Sequence, residues 1–147
     1  MTYREITQTD VPALFPIRAA TRENPLSRTE LQALGITEAS VTTMLSTTHR
    51  GWLCEANGEP IGFAMGDGKT GELWVIAVLP VYEGQGIGSR LLDLVETWLW
   101  SLGWQELWLW TSSDPTKRAF TFYHHHGWLV SEIKADVLSM KKVRPCV

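Results

Sequence analysis

No apolar run in this 147-residue sequence approaches the ~18 residues needed to cross a bilayer, and residues 1–6 carry no apolar signal region. Secretion and membrane insertion are therefore not expected, and the expected location is the cytoplasm. Cysteine is scarce. Cys54 and Cys146 stand far apart with neither metal-ligand spacing nor a CxxC pair, a usage that fits free thiols in a reducing compartment. A positive excess is lacking too. The net charge is -3 and the one short basic cluster is Lys141, Lys142 and Arg144, which is too little for a nucleic-acid groove. There is no internal repeat and no low-complexity stretch. With 44% apolar residues the chain can bury one substantial core but is too short for two ordinary domains, so a single unit over residues 1–147 is expected.

What is present reads as alternating strands and helices. Thr2 to Thr7 suits a first strand. Asp10 then offers an N-cap and Pro12 a first helical turn, and Leu14, Phe15, Ile17 and Arg18 give a one-sided apolar face, with an exposed remainder, to a helix ending near Thr21. Ser27 to Leu34, stopped by Gly35, and Thr37 to Leu45 read as two further short helices. Gly51 to Ala56 and Pro60 to Met65 flank Asn57-Gly58, the dipeptide best suited to a tight hairpin turn. A second turn, Gly66 to Gly71, leads into Glu72 to Val78, which is apolar on both faces after its first residue and so reads as a central strand. Ile87, Leu91, Leu94, Val95, Trp98, Leu99 and Leu102 recur at helical spacing until Gly103. Trp104 to Thr111 predicts a strand, Pro115 to about His125 a helix, and Trp128 to Met140 closing β structure with a bend. The expected class is α/β: a mixed sheet with antiparallel N-terminal strands and helices on both faces.

Chemistry is concentrated in Gly84-Gln85-Gly86-Ile87-Gly88-Ser89, between the buried strand and the long helix. Glycines let several backbone N–H groups turn onto one anion, and a helix N-terminus adds partial positive charge, an arrangement suited to a pyrophosphate. A P-loop would need a lysine after Gly88, where Ser89 stands. A Rossmann loop would need glycine at position 89 and a parallel βαβ unit, which the preceding hairpin does not supply.

From Leu73 to Leu92 the sequence closely resembles the coenzyme A binding motif of the GNAT N-acetyltransferases: a strand ending in Val-x-Pro, then Arg/Gln-x-x-Gly-x-Gly/Ala and a helix. Ala119-Phe120-Thr121-Phe122-Tyr123 followed by His124-His125-His126-Gly127-Trp128 is similar to that superfamily's late pattern Ala-x-x-Phe-Tyr-x-x-x-Gly-Phe. The resemblance covers nearly the whole chain and implies the GNAT acyl-CoA N-acyltransferase fold, with acetyl-CoA as cosubstrate and no metal. It places Ile76, Ala77 and Val78 along the pantetheine arm and residues Glu83, Gly84, Gln85, Gly86, Ile87, Gly88 and Ser89 at the pyrophosphate. Thr116 and Phe120 fall on the late-helix side of the cofactor. Two departures stand out. Glu83 occupies the position that usually holds Arg or Gln, where its charge would be repelled by phosphates unless it turns to water, and Thr116 stands where Asn is common.

An aliphatic ammonium is about one part in a thousand neutral at pH 7, so the reaction needs a base. Glu72 matches the position of the glutamate that deprotonates the amine in some GNAT enzymes, although a glutamate after a glycine turn also suits a solvated strand edge. Glu23 and Asp67 are rivals. Tyr123 matches the family tyrosine that protonates the departing thiolate, and Phe122 and Tyr123 equally suit core packing. By the same resemblance a backbone N–H near Val78 would polarise the thioester, and neither cysteine has a motif that marks it as a nucleophile, so transfer would be direct. Arg22, Glu23 and Asn24, in a stretch resembling a Glu-Asn-x-Leu-Ser sequence of some bacterial GNAT proteins, are expected at the acceptor. The acceptor would be a small polar amine first and a protein amine second. A non-catalytic acyl-CoA binding module of the same fold is the alternative function. His124, His125 and His126 point about 100° apart on a helix and cannot share one metal ion. The tryptophans Trp98, Trp100, Trp104, Trp108 and Trp110 divide between core packing and an exposed edge or homodimer contact.

Overall fold

The computed structural model describes residues 1–22, 25–114 and 118–145. Glu23, Asn24, Thr116 and Cys146, all named above, lie outside the described residues, as does the expected helix start at Pro115.

Strand β1 (Thr2–Glu5) is followed by a 3-10 turn and helix α1 (Val11–Ala20), then by α2 (Arg28–Ala33) and α3 (Glu38–Thr47). Strands β2 (His49–Ala56), β3 (Glu59–Asp67) and β4 (Glu72–Val78) form an antiparallel meander. Helix α4 (Ile87–Ser101) leads to β5 (Glu106–Ser112), α5 (Ala119–His125) and the closing hairpin β6 (Leu129–Lys134) and β7 (Val137–Val143). These seven strands make one sheet in the order β1-β2-β3-β4-β5-β7-β6. Asn57 and Gly58 take φ of 53° and 78°, the left-handed pair that the tight β2–β3 turn requires.

Ser27 and Thr37 cap α2 and α3 through their hydroxyls, each in a reciprocal capping box with Glu30 and Ser40. Asp10 does not cap α1 as its position suggests, because stronger partners claim its carboxylate. It pairs with both terminal nitrogens of Arg4 at 2.8 Å and accepts from the Thr7 N–H at 2.7 Å. The Arg4 hydrogen bonds hold its pKa down at about 2.

The sheet carries a core on each face. On one side α4 presses Ile87, Leu91, Leu92, Val95 and Leu99 onto the strands, and Trp128 is completely buried beside them. On the other, α1, α2 and α3 bury Leu14, Phe15, Ile17, Leu31 and Val41 over Phe63, Met65 and Ala77. Leu102, read as part of the α4 apolar stripe, is 51% exposed because the helix ends before it. Trp104 and Trp108 donate their indole N–H groups to Gly68 O (2.9 Å) and Thr70 O (3.1 Å), which pins the β3–β4 turn, whereas Trp110 is exposed. No helix among the described residues is long and apolar enough to cross a membrane.

Glu96 sits inside the α4 core. Its carboxylate accepts from Trp128 Nε1 at 3.0 Å and from Lys142 Nζ at 2.6 Å, joining α4 to β7. Removing one member of a buried pair leaves the other charge uncompensated, so Glu96→Ala should cost about 3–5 kcal/mol, read as a lower urea midpoint. Glu96→Gln, which keeps an acceptor for Trp128, should cost less.

Candidate active site

The site is built around a parting of strands. β4 and β5 run parallel and pair at a single register position, Glu72 opposite Trp108; beyond it they diverge. From Leu73 onward β4 therefore has no ladder partner on its β5 side, and that backbone edge faces a cleft. Seven residues at ~3.3 Å each give β4 a length of roughly 20 Å, enough to lay an extended chain between Glu72 at its start and the glycine loop beyond its end.

At the far end Gly84 and Gly86 adopt φ of 77° and 81°, a left-handed conformation that costs an L side chain strain. A Cβ at either would meet no atom within 4 Å, so the backbone there borders open space. Gly86 is the N-cap of α4 and offers no side chain to the first amides of that helix. Those of Ile87, Gly88 and Ser89 have no carbonyl a turn earlier, and the helix dipole adds positive charge, so they suit a diphosphate. The cleft is lined by Ile76 and Val78 of β4, by residues 83, 84 and 86–89 of the loop and helix start, and by Tyr123 of α5. Among the described residues, three that were expected at the cofactor are not in the lining. Ala77 is buried on the opposite face, Gln85 points to solvent, and Phe120 is stacked on His124 with ring centroids 5.6 Å apart.

Glu83 neither turns to water nor leaves its charge against the loop. Its carboxylate, 17% exposed, lies 2.6 Å from Arg118 Nη1 and 3.2 Å from Arg22 Nε. Among the described residues two guanidinium groups meet one carboxylate at the mouth of the cleft. Arg22, expected at the acceptor, is thus drawn to Glu83 at the glycine loop. Arg118 was not singled out in the sequence because its partner lies 35 positions away.

Tyr123 is held by aromatic edges, with Phe122 at 5.3 Å and Trp128 at 6.0 Å between centroids, and it lines the cleft as well. The packing and the site readings of this residue are compatible. His126 Nε2 and Ser89 Oγ are 2.9 Å apart, fixing the start of α4 against α5. Burial, then the neighbouring His125, lowers the His126 pKa. Among the described residues no group of three or more His, Cys, Asp or Glu side chains is placed to hold a metal ion. Cys54 is fully buried.

At the vertex, His49, Asp67 and Glu72 stand opposite one another across β2, β3 and β4. Like charges directly opposite are unfavourable in a sheet, and Glu72 is half-buried. Burial first, and the Asp67 charge second, push its carboxyl up to about 7. His49 packs its ring edge-on against Trp74 at 5.0 Å, accepts or donates at Thr48 Oγ1 at 2.7 Å, and lies 4.0 Å from Asp67. His49 falls outside the strand read from the sequence, which began at Gly51; the observed strand starts two residues earlier, and only its register brings His49 to this row.

The family model described as the acetyltransferase (GNAT) family matches residues 11–128. Among solved structures, PaiA N-acetyltransferase from Thermoplasma acidophilum, in complex with coenzyme A, superimposes with a TM-score of 0.82 at 17% identity, covering 98% of this chain and 100% of that one. The ribosomal-protein-S18-alanine N-acetyltransferase from Escherichia coli gives 0.77 at 22% identity, covering 97% and 92%. The yncA protein from Salmonella typhimurium, with its cofactor acetyl-CoA, gives 0.74 at 19% identity, covering 97% and 93%. At these identities the likeness carries the fold. No curated protein sequence matches the chain.

Proposed function

The chain belongs to the GNAT acetyltransferase family, and from that premise we propose that it moves the acetyl group of acetyl-CoA directly onto a primary amine of a small molecule, working as one domain. One observation carries this reading: a half-buried carboxyl held at about 7 stands at the vertex where β4 and β5 part. A base of that strength is half ionised near neutral pH, where it can take a proton from an ammonium that is otherwise almost fully charged.

In this reading the Glu72 carboxylate removes one proton from the acceptor ammonium, directly or through a water. The freed lone pair attacks the thioester carbon, a C–N bond forms, and the C–S bond breaks. A backbone N–H on the open edge of β4 near Val78 faces the carbonyl oxygen as it gains charge. The Tyr123 hydroxyl gives its proton to the departing thiolate. The residues fit the cofactor at its charged end, since Gly84, Gly86 and the α4 N-terminus offer amides to a diphosphate and Arg22 and Arg118 add positive charge. The ion pairing of Glu83 removes the repulsion that motivated a non-catalytic acyl-CoA binding module.

Tyr123→Phe tests the assignment. Thiol release from acetyl-CoA, corrected for hydrolysis and screened over amines, should show turnover that this variant lowers by about a hundredfold or less, the weak end of proton-transfer catalysis, because a thiol of pKa ~8.5 needs modest help to leave. Unchanged turnover removes Tyr123 from the reaction. Tight cofactor binding without turnover of any amine would favour the binding module instead.

A further inference from the structure

The three consecutive histidines do not share an environment. His124 stacks on Phe120 and His125 is exposed, whereas His126 turns toward the start of α4. Two side chains one turn apart carry that contact. Phe122 lies against Gly88, where a Cβ would stand 3.5 Å from its ring, and His126 Nε2 is 2.9 Å from Ser89 Oγ. The Phe122 and His126 rings also pack on each other, 4.8 Å apart between centroids. Ser89 is the third residue of α4, so its backbone N–H is one of those with no carbonyl a turn earlier. Ser89 and His126 both line the cleft beside Gly84, Gly86 and Gly88.

A hydroxyl has one proton to give. Where Ser89 gives it to an unprotonated Nε2, none is left for an anion. Where Nε2 carries a hydrogen and donates to Oγ, the Ser89 proton is released toward the cleft. A diphosphate offers only acceptors and so selects the second arrangement, and its two negative charges favour the imidazolium as the source of that hydrogen. Resting on the cofactor reading above, the geometry points to His126 as a positioning residue for the cofactor: it donates to Ser89 so that the hydroxyl can donate to the diphosphate, and it takes up a proton from solvent as the diphosphate binds. In the empty cleft burial first, and His125 second, hold the imidazole below its ordinary value. The other charges beside it are Glu96 of α4 and Lys142 of β7, which pair with each other at 2.6 Å and so offset. Glu83 and Arg118, which line the same cleft, are paired as well. Binding that stabilises the imidazolium must strengthen as pH falls. Two negative charges at roughly 6 Å in a watery cleft favour one positive charge by about threefold to tenfold once salt screens them.

The test is calorimetric titration with dephospho-coenzyme A. The 3′-phosphate of coenzyme A is a monoester that itself titrates near pH ~6, whereas the diphosphate diester left in the dephospho form keeps its charge over the whole range used. Between about pH 8 and about pH 5.5 the wild-type dissociation constant should fall by about threefold to tenfold. Near the middle of that range the binding heat should depend on the ionisation enthalpy of the buffer, with the sign of proton uptake. His126→Gln, whose amide can still donate to Ser89 but does not titrate, should bind as the wild type does at the alkaline end, which also shows it folded, and lose both the pH and the buffer dependence. Ser89→Ala, which keeps the backbone N–H, should weaken binding by about tenfold to a hundredfold, the range for one hydrogen bond to a charged group. His125→Gln should retain the pH dependence. A His126→Gln protein with the wild-type pH dependence, a dependence lost in His125→Gln instead, a Ser89→Ala protein of undiminished affinity, or a wild-type affinity that is flat or rises toward alkaline pH overturns the inference and leaves the cofactor reading standing. Failure of dephospho-coenzyme A and coenzyme A to bind at any pH removes both.

Discussion

Glu72→Gln is expected to lower kcat by about a hundredfold to ten-thousandfold and, above pH 7, to make the folded protein more stable. Both effects follow from one carboxyl. In the unfolded chain Glu72 titrates at its ordinary 4.5, and in the folded protein burial and Asp67 raise that to about 7. Between those values the folded protein holds a proton that the unfolded chain has released. The contribution to stability is therefore fully present below pH 4.5, falls as pH rises through the window, and is gone above about 7. Glutamine keeps the neutral shape at every pH. At pH 8 the variant should be more stable by about 1–3 kcal/mol, a range that allows for partial solvent screening, visible as a higher urea midpoint that no longer declines with pH. The rate behaves in the opposite sense. Wild-type kcat should climb as pH passes through about 7 and the carboxylate forms, and that acid limb should vanish in the variant. A merely structural Glu72 could produce the stability shift but not the loss of the limb, so a variant that keeps the wild-type pH profile ends its assignment as the base.

How much of this was legible in the sequence depended on whether the determinant was local. The central strand was read with its observed bounds, Glu72 to Val78, because its apolar run and flanking turns are contiguous. The glycine loop was legible for the same reason: left-handed backbone at Gly84 and Gly86 is a property of single residues. Everything set by long-range register was not. Glu96 was not singled out in the sequence, since the groups that satisfy it, Trp128 and Lys142, are 32 and 46 positions away. Glu83 reads as a liability until Arg22 and Arg118 are brought to it. Asp10 reads as a cap until β1 delivers Arg4. Arg18 reads with Leu14, Phe15 and Ile17 on one face of α1, but the cavity that it lines beneath α1, α2 and α3 exists only once those three helices pack over β3 and β4. The row His49, Asp67, Glu72 exists solely because three strands pair in one register. Local chemistry thus identified the glycine loop proposed for the cofactor, and topology supplied the row of side chains proposed for the acceptor.

Gly86→Val should weaken coenzyme A binding by about a hundredfold to ten-thousandfold, the loss of two charge-assisted hydrogen bonds from backbone amides at roughly 1.5–3 kcal/mol each, while leaving the protein folded. The position has φ of 81°, which a β-branched residue resists, so the loop must either distort or carry the strain. Distortion turns the amides of residues 86–88 away from a common point. If the strain is carried instead, the new side chain projects into the open space that borders the cleft, where a Cβ meets nothing within 4 Å. Either outcome displaces a diphosphate. The same openness protects the fold, because no core atom is struck, and the strain itself should cost only about 1–2 kcal/mol. Gly103 provides the matched control: its φ is 98°, a Cβ there also meets no atom within 4 Å, and it lies past the opposite end of α4. Gly103→Val should thus lose similar stability and bind coenzyme A as the wild type does. Calorimetric titration of both variants separates strain from site. Equal affinities in the two would mean that the anion does not sit on the Gly84 to Gly88 turn, and would detach the cofactor from the element in which amides, glycines and helix dipole come together.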